Sequence, residues 1–194
     1  MKKLPNILTI FRLFAAFAVV PAMLWQWYWV ALVLFALGGI SDFVDGWLSR
    51  KYKLETKFGK IMDSIADKML VANGLLLMTL FLQIWLVIVP AVLLICREFY
   101  VSGLREFGNA NKIELHDKSH GYFSICKVKL FCQTFSLGLM FLWIACINAG
   151  IYNIFMTKWL LFLAIGVLWL AVITSLWSAF NYTREFTAKT KKLK

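Results

Sequence analysis

Asp42-Phe43-Val44-Asp45-Gly46-Trp47-Leu48-Ser49-Arg50, then eight residues, then Gly59-Lys60-Ile61-Met62-Asp63-Ser64-Ile65-Ala66-Asp67: this stretch threads four carboxylates through a sequence otherwise apolar enough to live in lipid. Residues three or four apart share a helix face. Asp42, Asp45, Gly46 and Ser49 therefore share one face, and Gly59, Asp63 and Asp67 share another. If the two segments are neighbouring helices joined by the basic link 51–58, four acids converge on one spot. Like charges that close do not all stay ionised without something positive between them. A divalent metal meets that need, and Mg²⁺ or Mn²⁺ suits carboxylate oxygens and substrate phosphates. The other reading, acids paired with local lysines, explains one or two carboxylates but not four at this spacing.

Composition sets the surroundings of that stretch. The chain has 194 residues, 61% hydrophobic, with a mean hydropathy of +0.74. A transmembrane helix needs about 20 mostly apolar residues. Such runs fall at 7–28, 29–49, 61–83, 84–104, 122–148 and 155–182. The expected fold is an all-α integral membrane protein of six transmembrane helices with a short N-terminal interfacial helix, one domain over 1–194.

The net charge of +11 invites a nucleic-acid reading, and the placement of the charges argues against it. Of the 21 Lys and Arg, only Lys158 falls at a turn that six spans put outside. The others lie at the N-terminus, in 50–68, in 97–129 and in 184–194. The positive-inside rule then places both termini and the loops near 50–60 and 105–121 in the cytoplasm. The acids follow the same end, so the chemistry is expected at the cytoplasmic face. The lysines at 189, 191, 192 and 194 read as a strip facing anionic lipid.

Smaller features have mostly structural readings. Cys96, Cys126, Cys132 and Cys146 show no C-x-x-C spacing and are expected as free thiols. The start resembles a signal peptide, but Arg12 interrupts the apolar run and no cleavage is expected. Trp25, Trp27, Tyr28 and Trp29 form an aromatic belt at an outer turn. Gly38-Gly39, one turn before Asp42, lets helices approach closely or leaves room for a ligand. His116 and His120 lie four apart in the one long polar loop and read as solvated rather than metal-binding.

Residues 1–12 read by physics alone as an interfacial helix whose lysines touch anionic headgroups. The functional alternative has Asn6, Thr9 and Arg12 facing a polar site. Arg97 and Glu98 fall inside an apolar run, where charge is costly and faces a polar cavity, although adjacent Arg and Glu also neutralise each other. Lys127 and Lys129, two apart, cannot share a helix face. One is expected to snorkel and the other to point inward.

The acidic stretch resembles the signature of the CDP-alcohol phosphotransferase family, D-x2-D-G-x2-A-R-x8-G-x3-D-x3-D, with every spacing kept and Ser49 in place of the usual alanine. Pro5 to Arg12, Arg97 to Phe107 and Ser124 to Gln133 further resemble the signatures of the branch that forms phosphatidylglycerophosphate, with Cys126 and Leu130 departing from the third. The resemblance covers about residues 5–133. It implies attack of sn-glycerol 3-phosphate on CDP-diacylglycerol, in a bacterial cytoplasmic membrane, by a homodimer whose active site faces the cytoplasm. It implies two Mg²⁺ or Mn²⁺ ions held by Asp42, Asp45, Asp63 and Asp67, with Asp67 also the general base. Asn6, Thr9, Gly46, Ser49, Arg50 and Gly59 then bind CDP-diacylglycerol. Arg97, Arg105, Lys127 and Lys129 are the candidates for the acceptor phosphate. Alternatives are another acceptor (inositol phosphate, serine or phosphatidylglycerol), a metal-dependent prenyltransferase, or a cation transporter.

Overall fold

The computed structural model describes residues 4–52, 57–110, 125–151 and 154–190, with the side chains at 4–8, 42–52, 57–61, 63–64, 109–110, 125–127, 154 and 156 excepted. Six helices account for nearly all of it: α1 (Leu4–Leu24), α2 (Tyr28–Tyr52), α3 (Lys57–Leu82), α4 (Trp85–Ala110), α5 (Ile125–Asn148) and α6 (Ile154–Thr190). They alternate in direction. The ends at residues 4, 52, 57, 110, 125 and 190 lie together, and the short turns lie at the opposite end.

Those short turns are capped by the backbone. At the α1–α2 turn, Trp27 N donates to Ala22 O at 2.8 Å and Gln26 N donates to Met23 O at 3.1 Å. Gln26 (φ 64°) and Gln83 (φ 50°) take the left-handed conformation that usually falls to glycine at a helix end. Trp25, Trp27 and Trp29 project from the first of these turns and are exposed, as an interface belt requires.

The core mixes small and large apolar residues: Ala15, Ala16, Val19 and Met23 of α1, Phe35 of α2, Leu75 and Met78 of α3, Leu137, Met140 and Phe141 of α5, and Ala164 and Leu168 of α6. Phe35 and Phe141 stack at 4.8 Å between ring centroids. Outside this core the helices present large apolar side chains such as Phe14, Phe17, Phe131, Phe162 and Phe180. A surface like that suits lipid contact.

Among the described residues, four helical stretches are long and apolar enough to cross a membrane: Ile65–Leu82, Trp85–Gly108, Val128–Asn148 and Thr157–Thr190. α1 and α2 carry the shorter apolar runs Thr9–Leu24 and Tyr28–Ser41. The last helix runs on to Thr190, past the expected limit at 182. The separate N-terminal interfacial helix expected from the sequence is corrected. Residues from Leu4 onward belong to one unbroken helix, α1, because Thr9 and Arg12 are buried against the bundle and not turned along a membrane surface.

Two contacts fix how α2 meets α3. A Cβ on Gly38 would lie 2.8 Å from Leu70 Cδ2, and one on Gly74 would lie 3.1 Å from Phe35 Cε2. A side chain at either position would have to displace Leu70, or Phe35 and Leu137, by a small amount. Carried along two antiparallel helices, this register brings Asp42 level with Asp67, and Asp45 level with Asp63.

Candidate functional site

The four acids thus come from two helices whose register stacks them in two layers at the charged end of the bundle. Of their side chains only Asp67 is described; those of Asp42, Asp45 and Asp63 lie outside the described residues, as do those of Asn6, Gly46, Ser49, Arg50, Gly59 and Lys127. His116 and His120 lie outside them altogether. No cluster of three or more metal-ligating side chains occurs among the described residues. The donor chemistry still fits a hard divalent ion. Carboxylates spaced three and four apart on two facing helices supply oxygen ligands only, which is the set that Mg²⁺ and Mn²⁺ take.

Asp67 is held from α1. Arg12 Nη1 donates to Asp67 Oδ1 at 2.6 Å, with Arg12 fully buried and the Asp67 side chain 26% exposed. One turn further along, Asn73 Nδ2 donates to Ala16 O at 2.7 Å. These two bonds run α1 alongside the acid-bearing face of α3. Thr9 is buried on the same stretch of α1. The polar-site reading of Thr9 and Arg12 therefore describes this helix better than the interfacial one.

The second half of the site is cationic and is built on α4. Arg97 donates from Nε to Ser175 O at 3.1 Å and from Nη2 to Ser178 Oγ at 3.0 Å. It also reaches Glu98 Oε1 at 3.4 Å through Nη1. Lys129 of α5 pairs with the same Glu98 Oε1. Mutual neutralisation of Arg97 and Glu98 is thus only part of the arrangement. Arg97 is anchored mainly by α6, and Glu98 reaches across to α5. Lys129 is the inward-pointing member expected of the Lys127/Lys129 pair.

Nearer the end of the bundle, Lys68 Nζ donates to Ser102 Oγ at 2.7 Å. Arg105 Nη2 donates to Tyr182 Oη at 2.7 Å, and its guanidinium carbon lies 5.0 Å from the Tyr182 ring centroid. Three acceptor-site candidates with described side chains, Arg97, Arg105 and Lys129, are therefore distributed along one polar seam among α4, α5 and α6. Sequence reasoning did not assign Lys68, Ser102 or Tyr182. Lys68 follows Asp67 directly, and its neighbour in that position was the available signal. Ser102 lies in the 97–107 stretch that carries the family resemblance, without a role assigned there, and Tyr182 gave no signal.

Cys96, Cys132 and Cys146 are free thiols, as expected, and the side chain of Cys126 lies outside the described residues. A cleft of about 360 Å³ opens at the opposite end, beside Trp27, Tyr28 and Asn148. It has no charged lining residue and so nothing with which to hold a phosphate.

An all-helical bundle with an apolar outer surface, aspartate-bearing turns on α2 and α3 and a cation seam suits a membrane enzyme that handles phosphate groups. The sequence profile of the CDP-alcohol phosphatidyltransferase family matches residues 2–177, and the chain belongs to that family. Curated relatives carry the name CDP-diacylglycerol–glycerol-3-phosphate 3-phosphatidyltransferase. The one from Salmonella paratyphi A is 34% identical over 183 residues, 92% of each chain. That of Rickettsia bellii is 37% identical over 148 residues, 73% of this chain and 76% of its own. That of Cereibacter sphaeroides is 46% identical over 110 residues, 54% of this chain and 49% of its own.

Proposed function

We propose that the chain transfers the phosphatidyl group of CDP-diacylglycerol to sn-glycerol 3-phosphate, forming phosphatidylglycerophosphate and releasing CMP. The observation that carries this reading is the meeting, at one end of the bundle, of the acid-bearing faces of α2 and α3 with the seam of Lys68, Arg97, Arg105 and Lys129. A lipid-linked diphosphate needs the first, and a phosphate-bearing acceptor needs the second.

In the reaction the acceptor hydroxyl oxygen forms a bond to the phosphatidyl phosphorus. The bond from that phosphorus to the CMP oxygen breaks, and the hydroxyl proton passes to a carboxylate. Asp67 is the group assigned to take it, and Arg12 fixes where that carboxylate stands. Phosphoryl transfer passes through a loose transition state, so positioning and charge carry most of the acceleration. Asp42, Asp45, Asp63 and Asp67 would hold two Mg²⁺ or Mn²⁺ ions. When bound, these would neutralise charge on the entering and leaving oxygens. Arg50 grips a phosphate of the CDP-lipid, with Asn6, Thr9, Gly46, Ser49 and Gly59 shaping its place. Arg105, Lys127 and Lys129 receive the acceptor phosphate, while Arg97 of α4, anchored on Ser175 and Ser178 of α6, braces the pocket.

The same reading makes the chain a single domain with six spans, both termini and the active site on the cytoplasmic side of a bacterial inner membrane, and a homodimer. An acceptor panel tests it. Purified protein in detergent receives CDP-diacylglycerol with sn-glycerol 3-phosphate, inositol phosphate, serine, phosphatidylglycerol or free glycerol, and lipid products are followed by mass. Phosphatidylglycerophosphate with stoichiometric CMP is expected from the first alone. Equal turnover of glycerol or serine would defeat the assignment, because neither needs a dianion pocket.

A further inference from the structure

We propose that Glu98 is the internal counterion of the acceptor-phosphate pocket: it occupies Lys129 and Arg97 until the incoming phosphate displaces it. This rests on the reading of that seam as the acceptor site. Glu98 Oε1 takes both Lys129 and Arg97. The two cations are almost entirely buried, with side chains 7% and 6% exposed, whereas the Glu98 side chain is 30% exposed. The carboxylate is therefore the member of the cluster that an arriving anion meets first.

The position of Glu98 on α4 shows how such an anion would arrive. Glu98, Ser102 and Arg105 follow one another at four and three residues, so they share a helix face. Arg105 is exposed near the end of the bundle, and exposed Lys68 is held on Ser102 one turn further in. Glu98 and its two buried cations come next. A dianion drawn along this face by Arg105 and Lys68 ends against a carboxylate already seated on the cations it needs.

Buried cations require a partner at all times, since an uncompensated charge in the interior is strongly unfavourable. Arg97 keeps two further bonds to α6 whatever Glu98 does. Lys129 pairs with the same carboxylate oxygen, and a phosphate arriving there can take the place of that oxygen on Lys129. A dianion competes for it better than a neutral alcohol, and the exchange thereby favours phosphorylated acceptors. Glu98 is a positioning and selectivity residue here and not a catalytic one.

Glu98→Gln removes the charge while keeping the shape and a hydrogen-bond acceptor for Lys129. The experiment uses the full chain in detergent with Mg²⁺ and CDP-diacylglycerol, and inorganic phosphate as a probe competing with sn-glycerol 3-phosphate. The phosphate Ki and the acceptor KM are both expected to fall about tenfold, equivalent to about 1.4 kcal/mol, with the KM for CDP-diacylglycerol unchanged. Glu98→Asp, which keeps the charge at shorter reach, is expected to move both constants the same way by less. A purely structural ion pair predicts the opposite, a loosened pocket with Ki and KM unchanged or raised. That result, in whichever variant retains a cooperative melt, overturns the counterion role. Lys129→Ala tests the underlying reading separately. If it leaves Ki and acceptor KM at wild-type values, the acceptor-site assignment itself fails. If it raises them while Glu98→Gln does not lower them, only the counterion role fails.

Discussion

Arg12 and Asp67 form the pair on which the acidic site leans, and the two ends of that pair are not equivalent. Arg12 is fully buried, and Asp67 is about a quarter exposed. Removing the carboxylate deprives an interior guanidinium of a charged partner, while removing the guanidinium leaves a carboxylate that water reaches. Asp67→Asn is therefore expected to lower stability by about 2 kcal/mol, in the range of a charged hydrogen bond. The figure stays below the 3–5 kcal/mol typical of a fully buried pair because Asp67 is partly hydrated. A melting curve in detergent checks it, and a Tm equal to wild type would show that Arg12 does not depend on Asp67. Arg105→Ala and Lys129→Ala are each expected to raise the KM for sn-glycerol 3-phosphate at least tenfold, by loss of about 1.5–3 kcal/mol of charged hydrogen bonding. Their KM for CDP-diacylglycerol should barely change, and steady-state kinetics with each substrate varied separates the two. The helices that carry the four aspartates were legible from the sequence. The role of Arg12 was not, because an amphipathic stretch looks the same whether its polar face meets headgroups or a neighbouring helix. Glu98 was ambiguous for a related reason. Its nearest charge in sequence is Arg97, but Lys129, 31 residues away, shares the same carboxylate oxygen.

Two glycines lie where α2 and α3 meet. Gly38 lies against Leu70, and Gly74 lies against Phe35 of α2 and Leu137 of α5; carried along the helices, the α2–α3 register brings the acid-bearing turns level. Gly38→Ala puts a methyl group 2.8 Å from Leu70 Cδ2, a clash that must move either a packed leucine or the helix. Overpacking of this kind costs about 1–3 kcal/mol, and a shift of about 1 Å at reacting groups costs about a hundredfold in rate. The expected outcome is a kcat loss exceeding the loss of stability. Adding Leu70→Ala should restore part of it, since the second change makes room for the first. Independent, additive effects in that double-mutant cycle would show that the contact does not set the register. The six helices and most of their limits followed from hydropathy. Their pairing did so less well, because α4 and α6 are far apart in sequence yet meet through Arg97 and Ser178, Arg105 and Tyr182, and Trp169 Nε1 and Leu86 O. Each contact joins residues about 80 apart, and no periodicity within either helix announces its partner.

Across the whole molecule, alternating helix direction gathers the acids, the cation seam and the basic helix ends at one end, with the tryptophan turn at the other. That polarity was legible in the sequence, because a charged group inside lipid is costly and the charges sort themselves along the chain. The number of membrane crossings was less so. Among the described residues four helical stretches are long and apolar enough to cross a membrane, with shorter apolar runs at Thr9–Leu24 and Tyr28–Ser41. The same gathering makes a prediction about divalent ions. Acids brought level on two helices repel one another unless something positive lies between them. If bound Mg²⁺ or Mn²⁺ supplies the compensation, it stabilises the folded bundle as well as the reaction, since anything that binds only the native state raises its stability by RT ln(1 + [L]/Kd). At a concentration 100 times Kd this is about 2.7 kcal/mol. Exhaustive EDTA treatment is expected to abolish CMP release and to lower Tm, and either metal should restore both. Combining Asp42→Asn with Asp63→Asn should remove the Tm response to metal while the protein still melts cooperatively, because two fewer like charges then need compensation. A chelated wild type that keeps its activity, or a double variant whose Tm still rises with Mg²⁺, would separate these carboxylates from metal binding.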